Sequence, residues 1–121
     1  MLLSTLELEV LQYICDSGTT TAPKVHSQIA EKRQTAYSTI KTIFDRLENK
    51  GAIYRKSLVG RTIIYAAKVS EESIQASLLR DFVKSVFPRD KTPLFNTLIR
   101  DSSLTDDEVR YLERLLEEKQ K

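Results

Sequence analysis

The stretch over residues 35–51, TAYSTIKTIFDRLENKG, decides how this chain is read. At 100° per residue, Ile40, Ile43, Phe44 and Leu47 fall at i, i+3, i+4 and i+7 and form one apolar stripe. That spacing predicts a helix with one face against a core. The opposite side carries Thr35, Ser38, Thr42, Asp45 and Asn49, flanked by Thr39, Lys41 and Arg46. Short hydroxyl side chains let a helix approach a surface closely, and Lys and Arg reach base edges or phosphates, so such a face suits a DNA major groove. A helix with an ordinary solvated face would show the same stripe, and the flanking sequence has to decide between the two.

Past the helix the period changes. Lys50-Gly51 ends it, with Gly51 as the expected left-handed residue past the C-cap. Residues 52–57, AIYRKS, and 61–67, RTIIYAA, are rich in β-branched and aromatic residues, and Leu58-Val59-Gly60 joins them, Gly60 being free to take positive φ. This predicts a two-stranded hairpin bearing Arg55, Lys56 and Arg61.

Two more helices precede this one. Ser4-Thr5-Leu6-Glu7 is a capping box that opens a helix with Leu6, Val10, Leu11 and Ile14 as its apolar stripe and Gly18 as its stop. Cys15, near its end, reads as a small apolar residue. Thr19-Thr20-Thr21 reads as a polar connection, and Thr21 caps a second helix, APKVHSQIAEK, that tolerates Pro23 in its first turn and turns Val25 and Ile29 inward. Its His26 is expected on the surface or near a phosphate. Three helices and then a basic hairpin is the order of a winged helix-turn-helix over residues 1–69, in which the third helix enters the major groove and the hairpin touches the adjacent backbone. On that reading Lys41 and Thr42 read bases with Ser38 and Thr39 nearby, while Arg46, Arg55, Lys56 and Arg61 serve the phosphates.

Residues 70–121 read as three further helices. Ser70 caps the first, whose stripe is Ile74, Leu78, Phe82 and Val86, and Pro88 stops it. PLFNTLI over residues 93–99 makes a short second one. Thr105-Asp106-Asp107-Glu108 is another capping box, and Val109, Leu112, Leu115 and Leu116 then face one way. These helices hold more large apolar residues than three short helices can bury among themselves. Symmetric pairing with a second copy, through Ile74, Leu78, Phe82, Val109, Leu112 and Leu116, would cover them. Packing back onto the first 69 residues is the other way to do so.

Composition agrees with a small helix-rich protein: 121 residues, 40% hydrophobic and 30% charged, with only 3 Gly and 3 Pro. No apolar run nears the roughly 20 residues of a membrane span, and Met1-Leu2-Leu3 leads into a capped helix rather than a leader, so a cytoplasmic protein without a membrane partner is expected. A single Cys forms no intrachain disulfide, and one His with one Cys is a poor metal set, so no metal or cofactor is expected. Residues 1–69 carry 10 Lys and Arg against 6 Asp and Glu, whereas residues 70–121 carry 9 against 11. A basic first part beside an acidic second part points to a polyanion-binding module joined to a module of another kind. No nucleophile–His–acid set or Gly-rich phosphate loop is present, so no catalytic residue is assigned.

The run Thr39-Ile40-Lys41-Thr42-Ile43-Phe44-Asp45-Arg46-Leu47, closed by Lys50-Gly51, resembles the recognition helix of the penicillinase-repressor (BlaI/MecI-type) family. Leu6-Glu7-Leu8-Glu9-Val10-Leu11 is similar to that family's opening helix, Gly60-Arg61 with Tyr65 to its wing, and Leu104-Thr105-Asp106-Asp107-Glu108 with Leu112 to its last helix. The resemblance implies a homodimeric repressor that binds a dyad operator on double-stranded DNA, with a C-terminal helical dimerisation region on which an inducing signal acts. In the family's antibiotic-responsive branch a sensor protease cuts an Asn-Phe bond, which would fall near Thr97-Leu98 here. The copper-responsive branch's cysteine cluster has no counterpart, and Cys15 stands where the family often has Trp, so the inducer is left open. A winged-helix module that binds a protein instead of DNA is the competing expectation.

Overall fold

In a computed structural model, residues 3–101 and 103–121 are described; Met1, Leu2 and Ser102 lie outside them. The order of elements is α1 (Thr5–Ser17), β1 (Thr19–Thr20), α2 (Ala22–Ala30), α3 (Tyr37–Asn49), β2 (Ile53–Val59), β3 (Thr62–Ala67), α4 (Glu71–Val86), α5 (Thr92–Arg100) and α6 (Asp106–Gln120). This is the winged helix-turn-helix arrangement followed by three helices. Among the described residues no helix is long and apolar enough to cross a membrane.

Local chemistry sets most of the boundaries. The Ser4 hydroxyl accepts from the Glu7 N–H at 3.1 Å, and the Glu7 carboxylate accepts from the Ser4 N–H at 3.3 Å, closing the capping box of α1. Thr21 caps α2 by accepting from the Lys24 N–H. At the end of α3 the Gly51 N–H donates to the Glu48 carbonyl and the Ala52 N–H to the Leu47 carbonyl. That double closure is a Schellman motif, and it requires the left-handed φ of +80° that Gly51 adopts. Thr105 and Glu108 form the capping box of α6.

The connection Thr19-Thr20-Thr21 is more than a loop. Thr19 and Thr20 form β1, which pairs antiparallel with Ala66 and Tyr65 of β3, so the hairpin is the larger part of a three-stranded sheet ordered β1-β3-β2. Two β-branched residues are too short to show a period, and their partners lie more than 40 residues on. The hairpin turn is also one residue shorter than expected and begins two residues later. Val59 pairs with Thr62, leaving Gly60-Arg61 as a two-residue turn with Gly60 first at φ +62°.

The first compact unit ends at Asp81. Its core holds Val10, Leu11 and Ile14 of α1, Val25 and Ile29 of α2, Ile40, Ile43, Phe44 and Leu47 of α3, and Ile53 and Tyr65 of the sheet. The Phe44 and Tyr65 rings meet edge to face at 4.9 Å between centroids. Ile74 of α4, 4% exposed, belongs to the same core, and Leu78 packs against it.

One buried charge fastens this unit. Glu7 is 6% exposed and accepts from the Lys50 ammonium at 2.6 Å, joining the start of α1 to the C-cap of α3. Burial pushes the Glu7 carboxyl up, but the Lys50 ammonium together with the Ser4 N–H and hydroxyl outweighs it and holds the carboxyl below its usual value of 4.5. A depressed folded-state pKa contributes stability above the unfolded value, and that contribution is lost as pH falls from about 4.5 through the folded value. Glu7→Gln is therefore expected to cost about 1–2 kcal/mol at pH 7. The gap to the parent should narrow as urea titrations are repeated at lower pH below 4.5, and a gap independent of pH would show that the ion pair contributes nothing.

The second unit begins at Phe82. None of the residues in α5 or α6 is buried: Phe95, Leu98, Ile99, Leu112, Leu115 and Leu116 are between 36% and 55% exposed. Phe95, Leu98, Ile99, Leu104, Leu112 and Leu116 line one apolar groove of about 420 Å³.

Candidate nucleic-acid interface

Helix α3 turns its apolar stripe inward and its hydroxyl-rich face outward. Ile40, Ile43, Phe44 and Leu47 are at most 4% exposed. Ser38, Thr39, Thr42, Asp45, Arg46 and Asn49 are exposed, and Lys41 is half-buried. The Thr42 hydroxyl donates to the Ser38 carbonyl at 2.9 Å, which orients it along the helix and leaves its oxygen able to accept. Ala36 stands at the N-cap, where it offers no side-chain acceptor.

The turn between α2 and α3 is held by His26. Its Nε2–H donates to the Thr35 carbonyl at 2.7 Å, and its ring meets that of Tyr37 edge to face at 5.7 Å. His26, expected on the surface or near a phosphate, is thus half-buried and ties α2 to the start of α3. A carbonyl nine residues away gives no signal in sequence.

The wing carries three expected basic residues into three different settings. The Arg55 guanidinium pairs with Glu48 of α3 at 2.9 Å, tying β2 to the helix. Its charge is already engaged within the chain. Lys56 is the extra residue of a β-bulge, since Arg55 pairs with Tyr65 and Ser57 with the adjacent Ile64. Arg61 stands exposed in the turn beside Leu58 and Val59, about two-thirds exposed. Among the described residues Lys41, Arg46, Lys56 and Arg61 form no ion pair with a carboxylate.

Lys41 and Arg61, separated by 20 positions in sequence, line one cleft between α3 and the wing, with Tyr37, Thr62, Ile63 and Tyr65. Tyr65 is 1% exposed, its hydroxyl meets no partner among the described residues, and burial pushes its pKa up, so it stays protonated. Tyr37 was not among the expected contact residues. Its only signal in sequence is its place one turn before Lys41, on the same side of the helix.

The residues expected to pair two copies divide. Ile74 and Leu78 are packed on the core of the first unit, so little of their surface remains for a partner. Phe82, Val109, Leu112 and Leu116 are 50%, 37%, 36% and 54% exposed. The i+4 stripe of α4 therefore serves two ends: its first turns complete an intrachain core and its later turns keep apolar surface uncovered.

Comparison with known proteins agrees with this architecture. In the solved structures, a mutant form of MarR from E. coli matches with a TM-score of 0.56 at 20% identity, over 98% of this chain and 79% of that one. RosR of H. salinarum matches with a TM-score of 0.54 at 16% identity, over 97% and 93%. At these identities the likeness is one of fold. In sequence, the methicillin resistance regulatory protein MecI of Mammaliicoccus sciuri is 26% identical over 117 residues, 97% of this chain and 94% of that protein. The family model described as Penicillinase repressor matches residues 3–118, nearly the whole length. The chain belongs to the penicillinase repressor family of winged-helix transcriptional regulators.

Proposed function

We propose that this protein is a homodimeric, non-catalytic transcriptional repressor that binds a palindromic operator through α3 and the wing. The observation that carries the reading is the outer face of α3. Ser38, Thr39, Thr42 and Arg46 are exposed on a helix whose other face is fully buried, and Arg61 of the wing lines a cleft with Lys41 of the same helix. Short hydroxyl side chains bring the helix down to the base edges, while Arg46, Lys56 and Arg61 hold phosphates and fix its register. The apolar groove between α5 and α6 supports pairing with a second copy, because marginal helices of this length need their stripes buried. A twofold dimer presents two copies of α3, so operator half-sites should lie one or two helical turns apart, about 10 or 20 base pairs. An inducing partner, a sensor protease among them, would act on residues 70–121. Thr97-Leu98 lies within α5, so cleavage there requires that helix to open first.

The test is selection of bound sequences from random duplexes, followed by footprinting and titration in rising salt. A palindromic consensus with affinity falling steeply in salt is expected. Thr42→Val should cost about 1 kcal/mol and relax preference at one position per half-site, whereas Arg46→Ala should weaken all sequences alike and reduce the salt slope by about 1. Absence of salt-dependent duplex binding would turn the reading to the competing one, a winged helix that docks on a protein.

A further inference from the structure

The cleft between α3 and the wing brings together two cations of different elements. Lys41 comes from the side of α3 that faces the wing, and Arg61 from the hairpin turn. Neither is neutralised within the chain, in contrast to Arg33, Lys50 and Arg55, each of which meets a carboxylate at 2.9 Å or less. No Asp or Glu lines the cleft, and Tyr37, Ile63 and Tyr65 give it aromatic and aliphatic walls. Positive charge with no carboxylate beside it attracts whatever anion enters. The space is about 100 Å³, well below the roughly 300 Å³ at which pockets for whole small molecules begin. It has room for one compact oxyanion.

We propose that Lys41 and Arg61 grip one and the same phosphate of the DNA backbone in this cleft, which makes Lys41 a backbone-positioning residue and not a base reader. This rests on the operator-binding reading above and sharpens it. A phosphodiester presents one negative charge over two free oxygens. The Lys41 ammonium meets it as a point charge and the Arg61 guanidinium as a planar fork, so the two can share it without competing for the same lone pairs. The phenol of Tyr37, 42% exposed at the edge of the cleft, adds a donor. Because one cation belongs to the helix and the other to the wing, a single phosphate held between them fixes how deeply α3 sits in the groove. Base reading then falls to Ser38, Thr39 and Thr42, one helix face over. Sequence alone assigns Lys41 to the bases, because nothing in it shows that Arg61 arrives on the same side.

The test uses the full chain and its selected operator, with single phosphates replaced in turn by neutral methylphosphonates. Lys41→Ala and Arg61→Ala are each expected to weaken binding about tenfold with base preference unchanged, and Lys41→Arg to stay within about threefold of the parent. One neutral linkage per half-site should weaken the parent and, on that duplex, erase the effect of both Ala substitutions. Two different linkages silencing the two substitutions, or a change of base preference in Lys41→Ala, would overturn the shared clamp while leaving operator binding intact. Failure of the parent to bind any duplex would overturn both this proposal and the operator-binding reading.

Discussion

Cut after Asp81, the chain is expected to stay folded and to lose operator affinity by about 10²-fold or more. The fold of the truncated chain follows from where the core ends. Ile74 is 4% exposed in the same core, beside Leu8, Leu11 and Cys15 of α1, and Leu78 packs on that core, so a cut at the end of the hairpin would open it, whereas a cut after Asp81 keeps it whole. The loss of affinity follows from mass action. In a dimer, one bound wing domain holds the second near its half-site at an effective concentration of order millimolar, and the truncated chain must supply the second domain from bulk solution. The cut removes Phe82, Phe95, Leu98, Ile99, Leu112 and Leu116, large apolar side chains that each keep between 36% and 55% of their surface exposed. Sedimentation of both chains, with operator titration of each, measures the effect. A truncated chain that remains dimeric, or a full chain that is monomeric at micromolar concentration, would refute the placement of the dimer in the tail. On the proposed reading the same arithmetic would apply to induction: a signal that loosened the tail would relieve repression without touching the DNA face.

Phe44→Ala is expected to cost about 3–5 kcal/mol of stability. Phe44 is fully buried on α3, beside Ile40, Ile43 and Leu47, and its ring meets that of Tyr65 edge to face. Truncation loses the transfer free energy of the ring, leaves a cavity between α3 and β3, and removes an aromatic pair worth about 0.5–1.5 kcal/mol beyond its area. Domains of this size have about 5–15 kcal/mol in all, so a single side chain accounts for a large share. Urea unfolding of the full chain should show a lower midpoint with little change of slope, and operator binding should fail on warming before the parent's does. A cost below about 1.5 kcal/mol would mean that the ring is not in the core that fixes α3 against the wing.

Short-range chemistry made the helices legible from sequence. A capping box joins residues three apart, an apolar stripe repeats every three or four, and the Schellman turn at Gly51 needs only the residues on either side of it. Each of these is complete within one or two turns of chain, so Ser4–Glu7, Thr105–Glu108 and the Ile40–Leu47 stripe announce themselves. The β-branched and aromatic runs around Gly60 announce the wing in the same way.

Tertiary structure alone decided the contacts between distant residues. Thr19 and Thr20 become a strand only because the backbone of β3, more than 40 residues on, offers them hydrogen-bond partners. The Glu7–Lys50 ion pair spans 43 positions, and nothing around Glu7 marks its carboxylate as buried and paired rather than merely a capping-box member. Ile74 lies on the same i+4 stripe as Phe82, yet burial separates them, because the stripe records which side of α4 is apolar and not what covers each turn of it. Lys41 and Arg61 likewise read as two independent cations until the sheet swings the wing beside α3. A periodic sequence fixes the face of an element, but the partner of that face is set by packing, where the free energy of burying apolar surface is gained irrespective of distance along the chain.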